Sequence, residues 1–369
     1  MYIYQHRNWP DFKWNADSLA HPLSDVRYKQ GRLTGRMQGL GFSMRSEAVL
    51  QTLTLDVIKS NEIEGEILNS DQVRSSIARR LGMDIAGLVH TDKQVEGVVE
   101  MLLDSTQNYE AALTKERLFD WHAALFPAGR SGMRQITVAG WRDNKAGPMQ
   151  VVSGPMGREQ VHFEAPDASV LDHEMQRFIN WFNNSTAPAF DPVLKAAIAH
   201  LWFVTIHPFD DGNGRIARTI ADLQLARADG SSQRFYSMSV QIQKERNKYY
   251  EVLERTQKGD LDITDWLEWF IACIDRALTT SEGVLATVLK KARHWEMFAE
   301  KNINQRQRVM LNKLLNGFEG KLTTGKWAKI TKSSQDTALR DIRDLIEQEI
   351  LIKESAGGRS TAYILKEIG

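Results

Sequence analysis

The run His207-Pro208-Phe209-Asp210-Asp211-Gly212-Asn213-Gly214-Arg215-Ile216-Ala217-Arg218 gathers a base, a carboxylate, a glycine loop and two cations in one short stretch. Before it, residues 192–206 are apolar nearly all round, the pattern of a helix buried on every side. Pro208 biases its predecessor out of the right-handed helical region, so that helix must end at His207. Two glycines then open a loop, and a new helix starts near Gly214 and stops at Asp229-Gly230. Such a loop can turn several backbone N–H groups towards one point, and the new helix adds unpaired N–H groups and the positive end of its dipole. Arg215 and Arg218 share a face at the helix start, where both can reach an anion. Asp211 would be repelled by that anion unless a hard cation such as Mg²⁺ lies between them. His207 is the natural proton acceptor. These types suit phosphate binding by Gly212, Asn213, Gly214, Arg215 and Arg218, Mg²⁺ at Asp211 and a base at His207: nucleotidyl or phosphoryl transfer to a hydroxyl. Singly, each residue has an ordinary reading, as a helix cap or a solvated face; their concentration in one run is what points to chemistry.

The run resembles the signature of the Fic family, His-Pro-Phe-x-Asp/Glu-Gly-Asn-Gly-Arg-x-x-Arg, at every specified position, and the likeness extends over roughly 90–280. The resemblance implies a helical core and transfer of AMP from ATP to a Ser, Thr or Tyr hydroxyl of a target protein. By it, His207 deprotonates the hydroxyl, whose oxygen attacks the α-phosphate, and pyrophosphate leaves. Asp211 would hold Mg²⁺ between the α- and β-phosphates. The amides from Gly212 to Gly214 would bind phosphate oxygens, with Asn213 fixing the loop and Phe209 anchoring it. Arg215 would neutralise the leaving pyrophosphate, and Arg218 would grip the γ-phosphate. Family relatives that transfer phosphate alter the Gly-Asn-Gly loop, which this chain keeps, so AMP transfer is expected. Tyr249 and Tyr250 would border the adenosine, with helical core packing as the equal alternative.

Ser60-Asn61-Glu62-Ile63-Glu64-Gly65 resembles the family's inhibitory helix, Ser/Thr-x-x-x-Glu-Gly/Asn. Ser60 and Glu64, four apart, share one helix face. The resemblance implies that Glu64 pairs with Arg218 in the γ-phosphate position and restrains the enzyme. The same site could remove AMP, with Glu64 positioning water. Without the core signature the pattern would fit many ordinary helices.

Runs 149–153 and 160–164 flank Gly154-Pro155-Met156-Gly157, which reads as a hairpin. The resemblance makes it a flap that pairs with an extended target segment by strand addition, with Val151, Val152, Val161 and Phe163 as clamps. An ordinary surface hairpin has the same pattern. Self-modification and a homodimer are left open.

These residues need a scaffold. With 369 residues the chain should hold two or three domains. Hydrophobic residues at 42% and charged residues at 25% exclude wholesale disorder, and nine prolines favour helices over a turn-rich β fold. The expected fold is mostly α, with a Fic helical core, the β-hairpin flap and a C-terminal winged helix-turn-helix. Residues 1–90 form a helical region with an aromatic arm (Trp9, Phe12, Trp14) and the inhibitory helix. The core spans 91–297, with helices over 92–126, 170–183, 192–206, 214–229, 239–257 and 263–297. Residues 301–369 read helix 306–316, helix 324–331, helix 334–348, then two strands around Ala356-Gly357-Gly358-Arg359.

Charge limits the partners. The 47 basic and 47 acidic residues cancel, which excludes a surface that grips nucleic acid or an anionic membrane everywhere. Residues 301–369 carry a net +5, leaving −5 on the rest. Their presumptive recognition helix sets Arg340 and Arg343 against Asp336, Asp341, Asp344 and Glu347, a net −2 that DNA would repel. Lys326, Lys329 and Lys332 precede it, and Arg359 tips the wing. Protein docking and DNA binding both stay open, and the rival to an enzyme is a DNA-binding transcriptional regulator with a nucleotide-sensing core. A single cysteine, Cys273, excludes an internal disulfide. With neither an N-terminal h-region nor a long apolar run, no membrane association and a cytoplasmic location are expected.

Overall fold

The computed structural model describes every residue except 86, 146, 155–157, 159, 185–190, 316, 319, 355–360 and 367–369. The chain divides into two compact units, Met1–Gly82 with Val89–Glu282, and Met83–Leu88 with Gly283–Gly369. The first thus takes in the N-terminal helical region apart from 83–88 and the expected core up to Glu282, while residues 283–297, also expected in the core, fall in the second.

In the first unit run α1 (Ala16–Gln38), α2 (Phe42–Ile63), α3 (Ser70–Arg80), α4 (Lys93–Gln107) and α5 (Lys115–Leu125). Two hairpins follow, β1 (Arg130–Ser131) with β2 (Arg134–Gln135), and β3 (Gln150–Ser153) with β4 (Gln160–Glu164). Then come α6 (Leu171–Asn183), α7 (Pro192–Ile206), α8 (Asn213–Asp229), α9 (Met238–Lys244), α10 (Arg246–Gln257) and α11 (Thr264–Phe298), whose residues beyond Glu282 belong to the second unit. None of the described helices is long and apolar enough to cross a membrane.

The centre is the α7–α8 pair. Asp191 caps α7 by accepting from the Val193 N–H at 2.7 Å, and Pro192 occupies the first turn, where no N–H is needed. From Val193 to Ile206 all but Lys195 are buried. Helix α8 is equally buried but far more polar: Asn213, Arg215, Arg218, Asp222 and Gln224 all lie inside. Buried polar groups need partners, so α8 must be enclosed by a polar network. Part of it is Asp222, 3.0 Å from Arg234, near Asp56 of α2, whose carboxylate accepts from the Ser237 hydroxyl.

Two departures from the sequence reading concern helix ends. Helix α3, rich in Ser and Arg, has no expected counterpart; Asn69 caps it, accepting from the Gln72 N–H at 3.0 Å. The helix expected over 239–257 breaks at Glu245 (φ −116°, ψ 33°), where the carboxylate is drawn to Arg276 at 2.6 Å. The aromatic arm docks as expected: Trp9 donates to Glu174 at 2.9 Å and meets Trp202 edge-on at 6.1 Å.

In the second unit, α12 (Gln305–Leu315), α13 (Thr324–Thr331) and α14 (Gln335–Glu347) precede the antiparallel pair β5 (Leu351–Lys353) and β6 (Tyr363–Leu365). They enclose Met310, Leu311, Trp327, Ile342, Leu345 and Leu351. Asp341 turns inward to Arg306 (2.8 Å) and Asn304 (3.0 Å), and Asp344 accepts from Gln307 at 2.6 Å. Two of the four acids counted on this helix are therefore engaged inside the unit, while Arg340 and Arg343 are exposed. The turn Ala356-Gly357-Gly358-Arg359 and residues 155–157 of the other turn lie outside the described residues.

Candidate active site

Helix α7 ends at His207, which takes a left-handed conformation (φ 52°, ψ 57°) and closes the helix with its N–H on the Phe203 carbonyl at 3.0 Å. Its Nδ1 lies 3.2 Å from the Val204 carbonyl. A carbonyl only accepts, so Nδ1 carries the proton and Nε2 holds the lone pair. Burial pushes this imidazole down to about 4, against the Val204 hydrogen bond, so the ring is neutral and able to accept a proton at neutral pH.

The loop after it is braced from within. Asn213 accepts from the Phe209 N–H at 3.0 Å and donates to the Phe209 carbonyl at 2.8 Å. Phe209 is fully buried and stacks on His122, with centroids 4.2 Å apart. His122 accepts from the Ala139 N–H at Nδ1 and therefore donates from Nε2 to the Asp211 carbonyl at 3.2 Å. The Asp211 carboxylate accepts from the Ser131 hydroxyl on β1 and from the Gly212 N–H at 2.5 Å. Gly212 begins α8 at φ +80°, a left-handed conformation that favours glycine. Gly214 is needed for a different reason: a Cβ there would lie 2.5 Å from the Glu64 carboxylate.

That carboxylate arrives from the end of α2, across more than 150 residues of sequence. Glu64 Oε1 is 2.8 Å from Arg218 Nη2. Arg218 also donates to the Ser60 hydroxyl at 3.0 Å and the Ser60 carbonyl at 2.9 Å. Burial alone would lower the Arg218 pKa, but the adjacent Glu64 carboxylate more than offsets it and the value rises. Beyond Gly65 the chain returns Glu66 to Arg215, Oε2 to Nη1 at 2.7 Å. Both motif arginines are thus buried and paired with carboxylates of one short segment, at the positive end of α8.

Among the other expected site residues, Tyr249 is buried, its hydroxyl 3.0 Å from His200 Nε2, which makes it a core aromatic. The Tyr250 hydroxyl lies 3.5 Å from Glu64 Oε2, at the edge of the site. On the hairpin, Val151 pairs with Phe163 and Val152 with Val161, with an irregularity between them. Val152 and Val161 are exposed and Val151 is half-buried. Phe163 corrects the expectation of a clamp: it is buried under the rings of Tyr2 (5.1 Å) and Tyr4 (6.1 Å), so it secures the hairpin to the arm.

Among the described residues no cluster of three or more His, Cys, Asp or Glu could cage a metal. Asp211 belongs to no such cluster, and its carboxylate is already hydrogen-bonded. That donor set fits a cation such as Mg²⁺, which accepts one or two carboxylates and takes its remaining ligands from phosphate and water.

Sequence reasoning missed Glu66, His122, Ser131 and Arg142. An acid just beyond Glu64 was a visible signal for Glu66. Arg142 gave none: its partners are the main-chain carbonyls of His207 (2.8 Å) and Pro166 (2.5 Å).

Residues 112–225 match the Fic/DOC family, and residues 2–83 match a domain of unknown function, DUF4172. Curated proteins called protein adenylyltransferase Fic are similar. The one from Drosophila melanogaster is 33% identical over 273 residues, 72% of this chain and 46% of its own length. The one from Aedes aegypti is 30% identical over 221 residues, 58% of this chain and 39% of its own. The chain thus spans less than half the length of these relatives. A Fic family protein from Desulfovibrio desulfuricans shares the fold at a TM-score of 0.53 and 18% identity, over 94% of this chain and 97% of that one. A Fic domain signalling protein from Bacteroides thetaiotaomicron also reaches 0.53, at 20% identity over 72% and 97%. The chain therefore belongs to the Fic family through a Fic/DOC domain at residues 112–225, which follows an N-terminal DUF4172 region.

Proposed function

We propose that this chain is a protein adenylyltransferase that moves AMP from ATP to a Ser, Thr or Tyr hydroxyl of a target protein, and that its own α2 segment restrains it. The carrying observation is the 2.8 Å pair between Glu64 and Arg218 at the start of α8. A helix N-terminus flanked by two buried arginines is an anion site, and here two of the chain's own carboxylates fill it. The activity for which the insect relatives are named supports the same reading over the stretch they share.

In this reading His207 Nε2 takes the proton of the target hydroxyl as its oxygen bonds to the α-phosphorus. The bond from that phosphorus to the oxygen bridging to the β-phosphate breaks, and pyrophosphate carries the electron pair away. Backbone N–H groups from Gly212 to Gly214 and the Arg215 guanidinium meet the charge that develops, and Asn213 holds the loop so that little reorganisation is needed. Asp211 is the residue that would hold Mg²⁺, which when bound neutralises phosphate charge. Arg218 would take the γ-phosphate once Glu64 withdraws. Val151 and Val152 on β3 and Val161 on β4 belong to the hairpin to which a target strand would add, while the Tyr250 hydroxyl lies near Glu64.

The test is incorporation of labelled ATP, with intact-mass detection of added AMP, by wild type, Glu64→Gly and Glu64→Gly/His207→Ala. Glu64→Gly should incorporate at least about tenfold more than wild type, the effect of releasing about 1.4 kcal/mol of charge-assisted contact. Adding His207→Ala should abolish the signal. Equal incorporation by wild type and a folded Glu64→Gly protein removes the brake, and activity that survives loss of His207 removes the mechanism.

A further inference from the structure

Arg142 is an uncommon kind of arginine. It is only 4% exposed, and among the described residues no carboxylate comes within ion-pair distance of it. Burial lowers its pKa, with Asp167, Asp210 and Tyr4 acting on it only as more distant charges in the opposite direction. A buried cation without a paired anion is expensive, so its placement needs a reason.

The reason lies in what its N–H groups hold. Nε donates to the His207 carbonyl at 2.8 Å. The Arg142 main-chain N–H donates to the next carbonyl, Pro208, at 2.9 Å. The third contact, Nη2 to the Pro166 carbonyl at 2.5 Å, anchors the guanidinium to the segment just after β4. Consecutive carbonyls on either side of the His207–Pro208 bond are thus gripped by one residue.

His207 needs such a grip. It is one of four non-glycine residues with positive φ among those described. A left-handed histidine persists only where its surroundings over-determine it. Its own ring holds one side through Nδ1 on the Val204 carbonyl. The carbonyl side is held by Arg142. Releasing that carbonyl would let the residue relax to an extended conformation, which swings the ring off Val204 and exchanges the two nitrogens' roles.

We infer that Arg142 is the positioning residue of His207: by clamping the His207 and Pro208 carbonyls it fixes the left-handed turn that keeps Nδ1 on Val204 and leaves Nε2 as the acceptor. This rests on the reading of His207 as the base, so the experiment has one arm that depends on activity and one that does not.

The first arm measures AMP incorporation against ATP concentration in the Glu64→Gly background. Arg142→Met should lower the saturating rate about 10- to 100-fold, the cost of misplacing a reacting group by an ångström or less. The half-saturating ATP concentration should stay within about threefold, because the phosphate-binding residues are untouched. Arg142→Lys, which keeps one donor and the charge, should recover part of the rate. The second arm records ¹⁵N spectra of the imidazoles, with His207→Gln assigning the signal. The protein with Arg142 intact should show a single His207 tautomer protonated at Nδ1, and Arg142→Met a mixture.

Unchanged tautomer and rate in Arg142→Met overturn the proposal. So does a loss confined to half-saturating ATP, or one matched by a lower melting temperature that Lys does not rescue, either of which makes Arg142 merely structural. If Glu64→Gly transfers no AMP at all, the functional reading of the site fails, and the tautomer alone decides the role of Arg142.

Discussion

Glu66 changes what removing Glu64 would do. Its carboxylate is 2.7 Å from Arg215, whose side chain is 2% exposed, whereas Glu66 itself is 35% exposed. Solvent screens the partner that water reaches, so the pair is weaker than its distance suggests. It still presents an anion to the arginine that a nucleotide phosphate would use. In a Glu64→Gly background, Glu66→Gln should lower the half-saturating ATP concentration about three- to tenfold, the scale of one charge-assisted contact. The same change leaves a buried guanidinium unpaired, so the melting temperature without ATP should fall and ATP should restore it. A nucleotide titration followed by thermal shift reads both effects; ATP affinity that stays level or drops would show that Glu66 is no competitor. Residues of this kind mark where the sequence is legible and where it is not. The loop from His207 to Arg218 could be read because its chemistry is local, with each group within a few positions of the next. Phe163 was misread because its partners, Tyr2 and Tyr4, stand about 160 positions away. Arg142 was invisible because main-chain carbonyls carry no sequence signal.

At the level of elements, the end of α2 is held in part by Arg218, the group that the proposed restraint would block. The last carbonyls of a helix lack intrahelical partners and carry the negative end of the dipole. Arg218 covers the Ser60 carbonyl at 2.9 Å, and Arg246 of α10 covers that of Ile63 at 2.6 Å. Arg246 lies over the Tyr250 ring at 5.1 Å and bonds none of the described loop residues or His207, so it offers a way to loosen the proposed brake while leaving the proposed base and loop intact. With Glu64 intact, Arg246→Gln should raise AMP incorporation about two- to fivefold, less than Glu64→Gly, since one capping contact is worth about 1 kcal/mol or less. Hydrogen exchange of the amides from 60 to 66 should quicken in parallel. Faster exchange without added activity would separate the docking of α2 from the restraint. The helix boundaries themselves were mostly readable, because Pro208, Gly65 and Gly230 punctuate the pattern. The break at Glu245 was not: no glycine or proline marks it, and the carboxylate's pull towards Arg276 comes from another helix.

For the chain as a whole, these buried groups set how stability responds to pH. His122 and His207 are pushed down to about 4 and His200 to about 3, in each case chiefly by burial. An unfolded histidine titrates near 6.5, so each contributes stability that is complete above that pH and is lost as the pH falls towards 4. Asp222 moves the opposite way. Burial, then the Asp56 carboxylate, push it up, and burial raises Asp229 as well. A carboxyl raised in the folded state contributes stability below its ordinary value of about 3.8 and loses it as the pH climbs towards neutrality. The two trends oppose each other across the same interval, with three imidazoles against two carboxyls. The three histidines should prevail over the two carboxyls. The melting temperature should therefore fall between pH 7 and pH 5. Asp222→Asn keeps an oxygen for Arg234 but deletes the opposing titration, so its melting temperature should fall more steeply over the same interval. A melting temperature that holds level or rises on acidification even in Asp222→Asn would mean that the three imidazoles are not held neutral in the folded protein. His207, the group on which the proposed proton transfer depends, is one of those three, so the same titration bears on the chemistry.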